Sequence, residues 1–181
     1  MKLLRTEMPE VVLLEPRVFG DARGLTFESY NRRTFRSLTG VDVEFVQDNR
    51  SRSVKNVIRG LHYQVTRPQG KLVSALRGEI FDVAVDLRRS SPTFKKWVGL
   101  RLSEANRHVA WIPPGFGHGF LVLSDSAEVQ YKLGDFWSPE HERTILWSDP
   151  TLAVRWPIRG EPVLSQRDAK GARFEEAELF P

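Results

Sequence analysis

A succession of short apolar runs, most alternating with period two and closed by Gly, Pro, Asp or Ser, fills positions 41 to 133. Half-buried strands have that rhythm, whereas an amphipathic helix repeats its apolar positions every three or four residues. The runs VDVEFVQ (41–47), VIRGLHYQ (57–64), KLVSAL (71–76), EIFDVAVDL (79–87), WVGLRL (97–102), HVAWIP (108–113), HGFLVL (118–123) and AEVQYKL (127–133) therefore read as strands of an all-β sandwich or barrel. A few short helices are expected beside them. One spans 31–39, where Phe35 and Leu38 are three apart and Gly40 can end the turn; another lies near 139–144 after Ser138-Pro139; a third starts at Ser165. The charged tail 170–181 reads as loose.

The 181 residues suit one domain, 1–181, whose size allows a core to form without disulfides or a structural metal. With no cysteine, the chain has no thiol nucleophile, iron–sulfur cluster or thiolate zinc site. No apolar run approaches the roughly 18 residues of a membrane span. The opening MKLLRTEMPE carries charge on both sides of a patch too short for a signal-peptide core, so the expected compartment is the cytoplasm. A net charge of +4 suits anionic ligands, but the basic residues are scattered and form no stripe for nucleic acid.

Two of the four histidines sit in unusual company: His62 in RGLHYQ and His118 in PPGFGHGF. The second stretch resembles the P-x-G-x-x-H half of the cupin signature, and the first resembles its H-x-H half. Here, however, Gln64 replaces the second histidine and Gln69 stands where a carboxylate ligand would follow. That leaves too few convergent ligands for a metal, so no metal is expected. A cavity histidine free of metal titrates near pH 6.5 and can act as a base, which makes His62 the candidate. Tyr131, protonated at neutral pH, is the matching candidate acid. Strict alternation puts Ile58, Gly60, His62 and Gln64 on one face and Arg59 on the other. Arg59 also looks like a ligand group, so either it serves a neighbouring surface or the strand bulges near Gly60. Asp82 and Asp86 share a strand face, with exposure as the default; Asp168 fits an S-x-x-D capping box and could instead orient a histidine. Lys71, Arg59 and Arg23 lie beside glycines, where backbone can approach phosphates closely.

Taken in order, FGDARGLTFESY, FVQDNRSRS, VIRGLHYQ, QGKLVSALRGEIFDVAVDLRRSSPTF, WIPPGFGHGFLVLSDSAEVQYKLGDFWSPEHE and LSQRDA resemble the dTDP-4-dehydrorhamnose 3,5-epimerases over nearly the whole chain. The resemblance implies a cupin-like jelly roll, a homodimer and a dTDP-4-keto-6-deoxy-sugar substrate handled without any cofactor. It assigns His62 as general base, Tyr131 as general acid and Asp168 as the carboxylate paired with the base. Nucleotide and sugar contacts would fall to Arg23, Glu28, Gln47, Asp48, Asn49, Arg59, Lys71, His118, Glu142 and Arg167. Phe19 would reach the partner's nucleotide, and Trp137 stands where the family has an aromatic stacked on thymine. Arg50 departs from the family's usual histidine, and the segment Lys132 to Trp137 departs from its threonine- and tyrosine-rich form.

The chemistry fits these residues. In a 4-keto sugar both C3 and C5 flank the carbonyl, so their protons become removable once a donor such as Lys71 stabilises the enolate oxygen. Inversion then needs a base on one face and an acid on the other. Two rivals follow: an epimerase acting on a single carbon, separable by product analysis, and a non-catalytic cupin-like sugar-binding module, separable by proton exchange.

Overall fold

The computed structural model describes residues 1–181. Along the chain run β1 (Lys2–Arg5), β2 (Val12–Glu15), β3 (Val18–Asp21), β4 (Gly24–Phe27), helix α1 (Arg32–Thr39), β5 (Gln47–Val54), β6 (Ile58–Gln64), β7 (Lys71–Arg77), β8 (Glu79–Asp86), β9 (Trp97–Ser103), β10 (Val109–Ile112), β11 (Phe116–Val122), β12 (Ser126–Leu133), β13 (Glu142–Thr144) and helix α2 (Gln166–Ala169). Hydrogen bonding gathers them into a six-stranded sheet, β1-β2-β10-β7-β12-β5, a five-stranded sheet, β13-β6-β11-β8-β9, and a separate β3-β4 hairpin. From β9 to β12 successive strands change sheet, so the two sheets are stitched together as an all-β, cupin-like jelly roll with few short helices.

Period-two alternation gives each sheet two apolar faces. Val73, Ala75, Ala110 and Val129 of the larger sheet meet Ile80, Ala84, Leu102 and Phe120 of the smaller one in the inner core. Burying each Val, Ile, Leu or Phe among them contributes roughly 1.5–3 kcal/mol. On the outer face of the smaller sheet, Leu61, Val83, Val85 and Leu87 are covered by Ile145, Leu152 and Phe174. On the outer face of the larger one, Leu14, Leu72 and Trp111 are covered by Phe35 of α1 and by Val41, Val43 and Phe45. The α1 helix is built as its sequence suggests. Asn31 accepts from the amides of Arg33 and Thr34, Gly40 closes the end at φ 73°, and Phe35 packs edge-on against Trp111 with ring centroids 5.4 Å apart.

Several expectations are corrected. Residues 41–46 form no strand: Val41, Val43 and Phe45 pack as a cover, and the strand begins at Gln47 with the polar run QDNRSRSV. The helix expected near 139–144 is a turn followed by β13, which pairs with the free edge of β6. The four N-terminal strands, of four residues each, carry too little pattern to be read from sequence. The tail is docked, with Phe174 buried, Phe180 bridging to Arg88, and the Tyr63 hydroxyl donating to the Glu178 carbonyl at 2.7 Å. Asp82 and Asp86 are fully buried rather than exposed, because both point to the inner face of β8. Asp86 is held there by Arg88, Ser91 and Thr93. No helix is long and apolar enough to cross a membrane.

Candidate active site

At one end of the sandwich the inner-face positions turn polar, and a cavity of about 360 Å³ opens between the sheets. Arg59 and His62 of β6, with His118 and Phe120 of β11, line it from the smaller sheet. From the larger sheet come Gln47 and Asn49 of β5, Lys71 of β7, and Tyr131 and Leu133 of β12. Gln69, Trp137, Glu142 and Arg167 complete the lining.

Arg59 and His62 share this cavity despite their odd spacing because β6 bulges. His62 pairs with His118 and Arg59 with Phe120, so three steps along β6 match two along β11. Glycine is required at the bulge. Gly60 sits at φ +110°, and a Cβ there would lie 2.5 Å from the His118 carbonyl oxygen. The bulge is thus the alternative realised, and Arg59 turns inward, its Nε donating to Ser53 Oγ at 3.0 Å.

His62 Nε2 lies 2.6 Å from Asp168 Oδ1. A carboxylate is only an acceptor, so the nitrogen facing it carries the proton and Nδ1 keeps the lone pair. Burial lowers the imidazole below its ordinary value and outweighs the opposing pull of Asp168, which leaves the ring neutral at pH 7 with a lone pair able to accept a proton. Burial pushes the Asp168 carboxyl up, but hydrogen bonds from His62, Ser165 and the Gly60 amide outweigh that and hold it below the ordinary carboxylate value. Asp168 also occupies the cap of α2: the Ser165 hydroxyl accepts from its amide at 3.1 Å and donates to Oδ2 at 2.6 Å. Asp168 thus both takes part in the cap and hydrogen-bonds His62, and the cap fixes the carboxylate that faces the ring.

Opposite, burial pushes the Lys71 ammonium down to about 8, with Glu142 and Asp82 pulling the other way. Its Nζ lies 3.4 Å from the His62 carbonyl oxygen. His118 Nε2 lies 2.7 Å from Asp82 Oδ1, while Asp82 Oδ2 is buried without a hydrogen-bond partner. Glu142 accepts from the Trp137 indole at 3.1 Å and from Arg167, whose other amino group is 3.1 Å from His62 Nε2. Three cations, Arg59, Lys71 and Arg167, face one carboxylate in the lining, which favours an anionic ligand.

The other candidates lie elsewhere in the chain. Asp48 points away from the cavity and pairs with Lys132 at 2.8 Å. Phe19 and Arg23 belong to the β3-β4 hairpin, where Arg23 pairs with Asp21, and Glu28 follows the hairpin and accepts from Asn31. Sequence reasoning treated Gln69 only as an absent ligand and missed Phe120 and Leu133, which as apolar strand residues carry no signal of lining a cavity.

A family model described as dTDP-4-dehydrorhamnose 3,5-epimerase matches residues 5–176. The dTDP-4-dehydrorhamnose 3,5-epimerase of Pseudomonas aeruginosa is 59% identical over the full length of both chains, and that of Shigella flexneri is 53% identical over 99% of each. The crystal structure of a dTDP-6-deoxy-D-glucose-3,5-epimerase from Legionella pneumophila, in complex with dTDP-4-keto-L-rhamnose, superposes with a TM-score of 0.97 at 46% identity, covering 99% of this chain and 97% of that one. A 3'-monoepimerase from Streptomyces bikiniensis is more distant, at 30% identity and a TM-score of 0.88 over 94% of this chain and 87% of its own. Matched along nearly all its length in sequence and in fold, the chain belongs to the dTDP-4-dehydrorhamnose 3,5-epimerase family.

Proposed function

We propose that this isomerase inverts C3 and C5 of dTDP-4-keto-6-deoxy-D-glucose, giving dTDP-4-keto-L-rhamnose, with His62 as base and Tyr131 as acid. One observation carries the reading: His62, backed by Asp168 at 2.6 Å, and Tyr131 line one cavity from opposite sheets. A sugar ring between them would meet the base on one face and the phenol on the other. His62 Nδ1 takes the proton from the carbon beside the carbonyl, and the C–H electron pair moves into an enolate whose oxygen is stabilised by the Lys71 ammonium. Tyr131 then delivers a proton to the opposite face, and solvent restores both side chains. The same sequence serves the second carbon. No hydride leaves the sugar, so the reaction needs no redox cofactor.

Arg59 and Arg167 suit the diphosphate, since planar guanidinium groups match phosphate oxygens bidentately, and the half-exposed Trp137 suits the thymine. Phe19, Arg23 and Glu28 would act in a second subunit's cavity within a homodimer. Support comes from the hairpin, which pairs with no other strand and leaves Val18, Phe19 and Leu25 exposed. Residues 1–181 would serve as one epimerase domain in the cytoplasm.

The test is product analysis by NMR in deuterated water, using protein dialysed against a strong chelator and given only the keto sugar nucleotide. The reading expects deuterium at C3 and C5 and the L-configured product. Inversion at one carbon only, or activity that needs a divalent ion, would overturn it.

A further inference from the structure

The two glutamines at the vacant ligand positions of the histidine motif have another task. Gln64 is 3% exposed and does not line the cavity. Its Nε2 donates to the Arg67 carbonyl at 2.9 Å and to the Phe136 carbonyl at 3.3 Å, and its Oε1 accepts from the Ser138 amide at 3.0 Å. Gln69 donates to the Asp135 carbonyl at 2.9 Å, and the Gly134 amide donates to the Gly70 carbonyl at 2.9 Å. The Trp137 amide donates to Gln47 Oε1 at 3.0 Å, and the Asp135 side chain pairs with Arg67. Every residue from Gly134 to Ser138 thus has a backbone group fixed by Gln47 or by the 64–70 segment. The loop held this way carries Phe136 and Trp137, both more than half exposed. Without the clamp, such a loop would spread its aromatic residues over many orientations.

We infer that Gln64 is a positioning residue for the nucleobase, fixing the 134–138 loop so that Trp137 is held ready at the cavity rim. The inference rests on the reading of Trp137 as the thymine stack. A preorganised platform loses less entropy on binding, so the clamp acts on affinity and not on the proton transfers deeper in the cavity.

The experiment is a double-mutant cycle on the full chain with Gln64→Glu and Trp137→Ala, reading the Kd of thymidine diphosphate and the kcat and KM for the keto sugar nucleotide. A glutamate still accepts from the Ser138 amide but cannot donate to the Arg67 and Phe136 carbonyls. Gln64→Glu should raise Kd and KM about tenfold with kcat within about twofold, and Trp137→Ala should raise them by a similar factor. The double variant should bind no more weakly than the worse single one. If Trp137→Ala weakens binding but the two effects multiply, or if Gln64→Glu lowers kcat and spares KM, the clamp is refuted while the stacking reading stands. If Trp137→Ala leaves the Kd unchanged, the stacking reading fails and the clamp fails with it. Should Gln64→Glu not fold, Asp135→Ala takes its place in the same cycle, with about a threefold rise expected and the same refuting outcomes.

Discussion

Replacing Lys71 by methionine should make the protein more stable and far less active. Methionine has nearly the same length and no charge to bury. Burial moves the ammonium from its ordinary 10.5 down to about 8, which corresponds to about 3 kcal/mol of unfavourable interaction with the charged form. Between pH 8 and 10.5 the unfolded chain holds a proton that the folded protein has released, so wild-type stability rises with pH across that window. Below pH 8 the whole penalty is present. Lys71→Met removes it, and at pH 7 the variant should unfold at a higher temperature by up to about 6–12 °C. The gain should shrink as pH rises from 8 towards 10.5. Loss of the cation facing the enolate should lower kcat by about 10²–10³. Thermal unfolding of both proteins at fixed concentration from pH 7 to 10, with kcat measured at pH 7, checks each part. A variant less stable than wild type at pH 7, or a stability gap independent of pH, would refute the reasoning.

Because burial holds His62 below its ordinary value of 6.5, the acid limb of kcat/KM should have its midpoint below pH 6.5. Asp168→Asn should move that acid limb further down, since the carboxylate raises the imidazole, and should cut kcat by about 10²–10⁴; both are read from a pH–rate series. Gly60→Ala should abolish activity, because its Cβ would lie 2.5 Å from the His118 carbonyl oxygen at the bulge; loss of dTDP binding in calorimetry checks this. Asp86 is pushed up by burial but held at about 2 by hydrogen bonds from Arg88, Ser91 and Thr93, so its stabilising contribution is present above pH 3.8 and lost as pH falls towards 2. Asp86→Asn should cost about 1.5–3 kcal/mol in denaturant titration at pH 7 by weakening the charge-assisted hydrogen bonds from Arg88, Ser91 and Thr93, while Arg88 keeps its pairing with Glu10.

The sandwich was legible in the sequence wherever a strand divides its residues between two apolar layers, as β8 does with Ile80 and Ala84 on one side and Val83 and Val85 on the other. It was illegible at β5. There Gln47 and Asn49 face the cavity while Asp48, Arg50 and Arg52 face outward, so both faces are polar and no alternation is visible. The 41–46 stretch shows the reverse error, since its alternation reflects a coil segment laid over Trp111. Among the cavity-lining residues, His62 and Tyr131 stood out in the sequence as polar side chains within largely apolar strands, and Lys71 as a cation beside Gly70. The burial of Asp82 was not, because its partner His118 lies 36 residues away and meets it only through the pairing of β8 with β11. Arg59 depended on a bulge that the sequence permits at Gly60 but does not require.

The central claim is that base and acid act from opposite walls, and solvent exchange separates their roles. In deuterated water, His62→Asn should abolish deuterium incorporation at C3 and C5 while binding thymidine diphosphate within a few-fold of wild type. Tyr131→Phe should continue to exchange those protons with retained configuration while net inversion falls sharply. Exchange persisting in His62→Asn, or exchange and inversion falling equally in Tyr131→Phe, would contradict the account.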